Sequence, residues 1–211
     1  VEVLRAGVGL VELAGAEAHH VAADVTLPTP ARRIAVLVRE AVEQRPETAA
    51  DVAAYVDRRL DQGPGTRAVL FPLVTGLLDD GPEEVRTALA AVLVAPGTAA
   101  SHPLRRELLE HLLSHEREPV VLDALLRAAA RRATEGDGLR ELVHRIGVLL
   151  VRTPDGAARF DRTLVDLGRR TPGFAAQVAG WLTDAPRRWA AVVGPSSRRM
   201  IENLAGVRVP A

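Results

Sequence analysis

The sequence predicts an all-α fold, a right-handed α-solenoid of about five stacked antiparallel helix pairs, and three observations predict it. Chain breakers recur on a beat: Pro28, Pro46, Pro64 and Pro82 lie 18 residues apart, and Pro119, Gly136, Pro154 and Pro172 continue at nearly the same interval. Between the breakers, apolar residues fall at i, i+3, i+4 and i+7, the period of a helix with one buried face. Aromatic residues make up only 3% of the 211-residue chain, so the core must be filled by Ala, Leu and Val, which suit closely packed helices rather than an all-β sandwich. "VRVP" near the C-terminus is too short to count as a strand.

Two beats make one helical pair. Pairs beginning at Pro46, Pro82, Pro119 and Pro154 are spaced by 36, 37 and 35 residues, the signature of internal repetition. The expected organisation is a single repeat domain over residues 1–211. It has an irregular first pair (1–45), repeat-like pairs at 46–81, 82–118, 119–153 and 154–190, and a terminal helix within 191–206. In "AADVAAYVDRRL", Val52, Tyr55, Val56 and Leu60 share one face. In "LRRELLEHLLSH" the face is Leu104, Leu108, Leu109 and Leu112, and in "LRELVHRIGVLL" it is Leu139, Leu142, Val143, Ile146 and Leu150. The second helices of the pairs begin near Thr66, Pro103, Gly138 and Pro172. The terminal helix reads "SSRRMIENLAG", with Ser196 or Ser197 as N-cap and Gly206 near its end. "VAPGTAASHP", Val94 to Pro103, is longer than the other connections and reads as an exposed loop.

"DDGPEEVRTALAAVL", Asp79 to Leu93, resembles the HEAT-like repeat pattern, in which an acidic or Pro turn leads into Val-Arg and then small packing residues. Val85 and Arg86 occupy the Val-Arg positions, with Ala88, Ala91 and Val92 as the packing residues. "PETAADVAAYVDRRL" and "PVVLDALLRAAARRA" keep the Pro and the alanines but lack Val-Arg, so the rest of the chain follows by period rather than by motif. The resemblance implies an α-solenoid that binds other macromolecules. Independently of it, one helical pair cannot cover its own apolar face, and stacking neighbours buries a continuous core. Pro82, Glu83 and Glu84 then serve as a helix start, the acids complementing the positive helix end.

Composition excludes several chemistries. There is no cysteine, so disulfides, zinc knuckles, iron–sulfur clusters and thiol nucleophiles are ruled out. No run of 18 apolar residues marks a membrane span. The N-terminal stretch carries Glu2, Arg5 and Glu12 and makes a poor secretory signal, and nothing points outside the cell, so a cytoplasmic location is expected. A first residue of Val rather than Met fits a fragment, such as the C-terminal part of a longer protein, a processed chain, or a start left out.

Candidate sites divide into weak and stronger ones. His111 and His115 are four apart on one helix, a spacing that can hold one metal ion. "HLLSH" lacks the Glu of the metalloprotease motif, and the pair reads more simply as a solvated face. Glu17/His20 and Glu141/His144 are Glu-x-x-His pairs of the kind seen in di-iron bundles, but one falls in the first helical segment, which breaks that pattern. "GPGT" (63–66) and "APGT" (95–98) are turns and not phosphate loops, because the chain has no lysine. No nucleophile motif is present, so no catalytic residue, metal or cofactor is assigned.

All 27 basic residues are arginine, balanced by 27 acids. The neutral total hides two halves: residues 1–118 hold 12 Arg and 18 acids, or −6, and residues 119–211 hold 15 Arg and 9 acids, or +6. Arginine doublets sit at 32–33, 58–59, 105–106, 131–132, 169–170, 187–188 and 198–199, several near helix ends where cations complement the macrodipole. Trp181 and Trp189, the only tryptophans, lie near the last break, where they either cap the open end of the core or meet a partner. The expected function is a non-enzymatic interaction or scaffold module. Its predicted contact residues are Arg131, Arg132, Arg169, Arg170, Trp181, Arg187, Arg188 and Trp189, and its partner another protein or another domain of the same polypeptide. A nucleic-acid binder using the arginine edge is the first competitor, disfavoured by the neutral total and the few aromatics. A metal-dependent helical enzyme is the second.

Overall fold

A computed structural model describes residues 30–60, 67–94, 103–131 and 136–210. Every regular element among them is a helix. In chain order they are α1 (Pro30–Gln44), α2 (Thr48–Leu60), α3 (Arg67–Asp80), α4 (Glu83–Leu93), α5 (Pro103–His115), α6 (Pro119–Ala130), α7 (Gly136–Leu150), α8 (Gly156–Arg170), α9 (Phe174–Asp184), the single turn α10 (Pro186–Trp189) and α11 (Pro195–Ala205). From α1 to α9 successive helices start 16 to 20 residues apart. Segments 46–81, 82–118, 119–153 and 154–190 each contain a pair of full helices, and α11 falls within 191–206. No helix among the described residues is long and apolar enough to cross a membrane.

The helices divide into two compact units, α1–α5 and α6–α11. In the first, each helix packs on its neighbour and also on the helix two places on: α1 on α3, α2 on α4, α3 on α5. Two polar contacts show that α3 and α5 run the same way. Arg67, which opens α3, bonds Glu107 at 2.6 Å, and Asp79 near its end bonds His111 at 2.7 Å. The second unit begins on the same plan. α8 packs on α6, and Asp123 pairs with Thr163 four residues before Arg127 meets Asp166, so these two helices are also parallel. Beyond α8 the plan changes, and α9 and α11 pack together while both contact α8.

The apolar faces read from the sequence are buried with small shifts. Val52, Tyr55, Val56 and Leu60 are core residues of α2, as are Leu104, Leu108 and Leu112 of α5 and Leu139, Val143, Ile146 and Leu150 of α7. Leu109 and Leu142 sit at the rims of those faces, half-buried. In α4 the register differs from the expected one. Val85, Leu89, Ala90 and Leu93 are buried, whereas Ala88, Ala91 and Val92 are half-exposed, because a helix that buries Val85 returns to the same side at i+4 and i+8.

Breakers act through local geometry. The amide of Arg86 bonds the Pro82 carbonyl, so Pro82 supplies the first acceptor of α4 and its missing N–H costs nothing. Gly81 just before it passes so close to the end of α3 that a Cβ would lie 2.2 Å from the Leu77 carbonyl oxygen. α11 begins at Pro195 with Gly194 as N-cap, two or three residues before the expected Ser196 or Ser197, so Ser197 is carried into the helix and buried. It ends at Gly206, whose φ of 70° closes the helix in the left-handed region.

Candidate functional site

α8 carries the strongest contrast between its two sides. Phe160, Thr163, Leu164 and Leu167 face the core. Ala158, Asp161, Arg162, Val165, Asp166 and Arg169 follow one another at helical spacing along another stripe. With Ser196, Ser197 and Met200 of α11 that stripe lines an open cleft of ≈ 430 Å³. Where α11 crosses α8 position 168 is glycine, and a Cβ there would meet Leu204 Cδ1 at 3.1 Å.

The charges of the cleft are unequally engaged. Asp166 accepts from Arg127 Nη1 at 2.7 Å and from Arg170 Nε at 2.6 Å. These guanidiniums, the Arg127 bond first, hold its carboxyl below the usual aspartate range. Arg127 in turn donates to Asp123 at 2.9 Å, and its hydrogen bonds to Asp166 and then to Asp123 raise its pKa. Asp161 points one carboxylate oxygen to within 3.3 Å of where a Gly194 Cβ would stand, and its Oδ1 is buried without a protein donor. Arg169 touches Met200 Sδ at 3.5 Å, and Arg162 and Arg169 are exposed. In and around the cleft Arg127, Arg162, Arg169 and Arg170 thus stand against Asp123, Asp161 and Asp166, four cations to three anions.

Of the contact residues read from the sequence, Arg131, Arg169 and Arg170 stand at the ends of two neighbouring helices. Arg131 caps α6 and the doublet ends α8, and since α6 and α8 are parallel neighbours the three exposed cations lie at matching helix ends. Arg132 lies outside the described residues, as do Glu17/His20 and both Gly-Pro turns. Arg187 and Arg188 belong to α10 and form a different group. Arg188 bonds Glu141 of α7 at 2.5 Å and approaches His144 Nδ1 at 3.3 Å. Glu141 and His144 are therefore engaged by an arginine.

Both tryptophans are inside the second unit. Trp189 is 0% exposed and Trp181 9%, so Trp189 has no face to offer a partner. The indoles stack at 5.5 Å, with Phe174 edge-on to Trp181 at 6.2 Å and His144 edge-on to Trp189 at 5.2 Å. Burial first, and then the Arg188 charge, hold His144 below imidazole's ordinary value of 6.5.

A second constellation sits in the first unit. His111 and His115 of α5 stack at 4.3 Å, and Asp79 of α3 joins them, a ligating atom of each residue lying within 4.8 Å of the others. From the sequence Asp79 stands out only as the start of the HEAT-like stretch, with no link to the histidines, and the α8–α11 cleft does not show at all. The i, i+4 histidine pair was visible, but nothing in a linear pattern says which residue 32 positions away will face it. The cleft's one legible signal was the alternation of Asp and Arg along α8. Comparison of the chain with known protein families, curated proteins and solved structures finds no match in any of the three.

Proposed function

We propose that this chain is a HEAT-like helical-repeat interaction module, and that its second unit receives an acidic segment of a protein partner on the cleft between α8 and α11. The solenoid reading is supported by the start-to-start steps of 16 to 20 residues and by the packing of α1 on α3, α2 on α4, α3 on α5 and α6 on α8. Val85 and Arg86 support the HEAT-like reading: Val85 is fully buried, and Arg86 reaches from α4 to the Glu116 carboxylate at 2.7 and 2.8 Å. Such an arginine ties one repeat internally rather than serving as a contact.

The observation that carries the functional reading is the stripe of α8. It presents Arg162 and Arg169 in a cleft whose second aspartate, Asp166, is already neutralised by Arg127 and Arg170. Such a surface favours carboxylates, and guanidiniums bind them in bidentate geometry. Arg131 and Arg170 extend the cationic edge beyond the cleft.

The test uses a fluorescent acidic peptide and the double variant Arg162→Glu/Arg169→Glu, with circular dichroism as the fold control. The peptide is expected to bind the native chain and to lose at least about tenfold in affinity on the variant, the scale of one lost charge-assisted contact. Equal binding by a folded variant would sink the cleft assignment. Tighter binding of a single-stranded oligonucleotide than of the peptide, falling steeply with salt, would replace the protein partner by a nucleic acid.

A further inference from the structure

We propose that Asp79, His111 and His115 form a site for a divalent transition-metal ion, zinc best suiting the donors, that clips the end of α3 to the end of α5. The donor set is two imidazoles and one carboxylate, drawn from two parallel helices that already pack on each other. Nitrogen with one carboxylate oxygen suits zinc, cobalt or nickel, whereas calcium and magnesium call for shells of six or more oxygens. Three protein ligands leave the fourth tetrahedral position to water, and the partial exposure of all three residues gives the ion a way in.

Two contacts prepare the histidines. His115 Nδ1 lies 2.9 Å from the carbonyl oxygen of His111, which can only accept, so Nδ1 carries the hydrogen and Nε2 keeps its lone pair for a metal. A ring nitrogen bonded to a backbone carbonyl is the usual support of a metal-ligating histidine. His111 Nε2 lies 2.7 Å from Asp79 Oδ1, so a hydrogen now bridges the two atoms that the ion would bridge. In a tetrahedral zinc site neighbouring donors stand about 3.3 Å apart. That pair must open by about 0.6 Å, and the wider separations, up to 4.8 Å, must close; side-chain rotation at a partly exposed site supplies both.

The fold adds an electrostatic reason. α3 ends at Asp80 and α5 at His115, so Asp79 and His115 both stand in last turns, where the carbonyl ends of the helices concentrate negative charge. Together with the Asp79 carboxylate, two helix C-termini face the position of the ion. The site is independent of the cleft in the second unit, and neither needs the other.

The experiment takes the full chain, freed of metal by a chelator and dialysis, and titrates it with Co2+ and then Zn2+. Visible d–d absorption of tetrahedral cobalt is expected to grow to one equivalent and to be displaced by zinc, with a rise in Tm. His111→Gln and His115→Gln, checked by circular dichroism, are each expected to weaken zinc binding by at least about tenfold, since loss of a ligand costs no less than loss of its outer support. Asp79→Asn should weaken it less and blue-shift or broaden the cobalt band. Three outcomes overturn the proposal: no stoichiometric metal on the native chain, unchanged affinity in the folded His111→Gln/His115→Gln variant, or a Tm rise of the same size with and without the histidines.

Discussion

In α1–α5 two of the ion pairs that cross between helices have a buried partner, Arg105 in one and Glu116 in the other, whereas α6–α11 bury four large aromatic rings. Arg105 is 1% exposed and reaches Asp57 at 2.8 Å and the Val92 carbonyl, and Glu116, 4% exposed, accepts with both carboxylate oxygens from one Arg86 nitrogen. The second unit holds Phe160, Phe174, Trp181 and Trp189, all at 9% exposure or less. The difference follows from the packing plan. Where helices repeat in parallel layers, small residues fill the gaps and a long arginine can lie between layers with its charge met. Where α9, α10 and α11 leave that plan, Phe174, Trp181 and Trp189 pack ring against ring.

The largest expected effect breaks the aromatic side. Trp189→Ala removes a fully buried indole that stacks on Trp181 and touches His144. It should cost about 3–5 kcal/mol, the range for emptying a core aromatic site. Urea unfolding would read this as a lower midpoint, and hydrogen exchange should quicken most in α7, α9 and α10. Trp189→Phe should cost far less, because the buried indole Nε1 has no protein acceptor to lose. If the Ala variant lost less than about 1 kcal/mol, the rings would be filling space that the helices can close without them.

The same contrast explains what could be read from the sequence. Helix positions were legible because proline and glycine interrupt the chain at each turn of the repeat, and the inner faces because burial imposes a 3.6-residue period. Both signals are local. Arg86 finding Glu116, 30 residues on, and Asp79 finding His111, 32 residues on, depend on which layers meet, and no local period encodes that. The tryptophans were legible as special but not as buried, since a rare large ring near the last repeat suits a core cap and a contact surface equally. α10 was missed because Pro186 restarts a helix for only four residues, too short to show a period.

A smaller effect sharpens the polar side. Glu116→Gln should cost about 2–3 kcal/mol in urea unfolding, below the full range for a broken buried pair because Arg86 keeps 19% exposure. The informative companion is Arg86→Met/Glu116→Met. If the pair offsets its own desolvation and little more, the double variant should stand within about 1 kcal/mol of the native chain. A double variant as damaged as the single one would mean that the ion pair, and not merely charge matching, holds α4 at this position.

The smallest expected effect lies where the two kinds of interaction meet, at His144. It is depressed below its ordinary 6.5 chiefly by burial and next by Arg188, with Arg140 adding to this, while Glu141 and the bond to the Arg188 carbonyl pull the other way. A lowered value in the fold means that the unfolded chain takes up the proton first as the pH falls. His144 therefore adds stability that is complete above about pH 6.5 and is lost as the pH falls from there through its folded value. The native chain should lose unfolding free energy as the pH falls below about 6.5, and His144→Gln should lose less over the same interval. Replacing Arg188 by Met removes the second cause of the depression, so the window should narrow toward 6.5 without closing, because burial against Trp189 remains. A His144→Gln chain with the native pH slope would place the acid sensitivity elsewhere and leave the His144–Trp189 contact as packing alone.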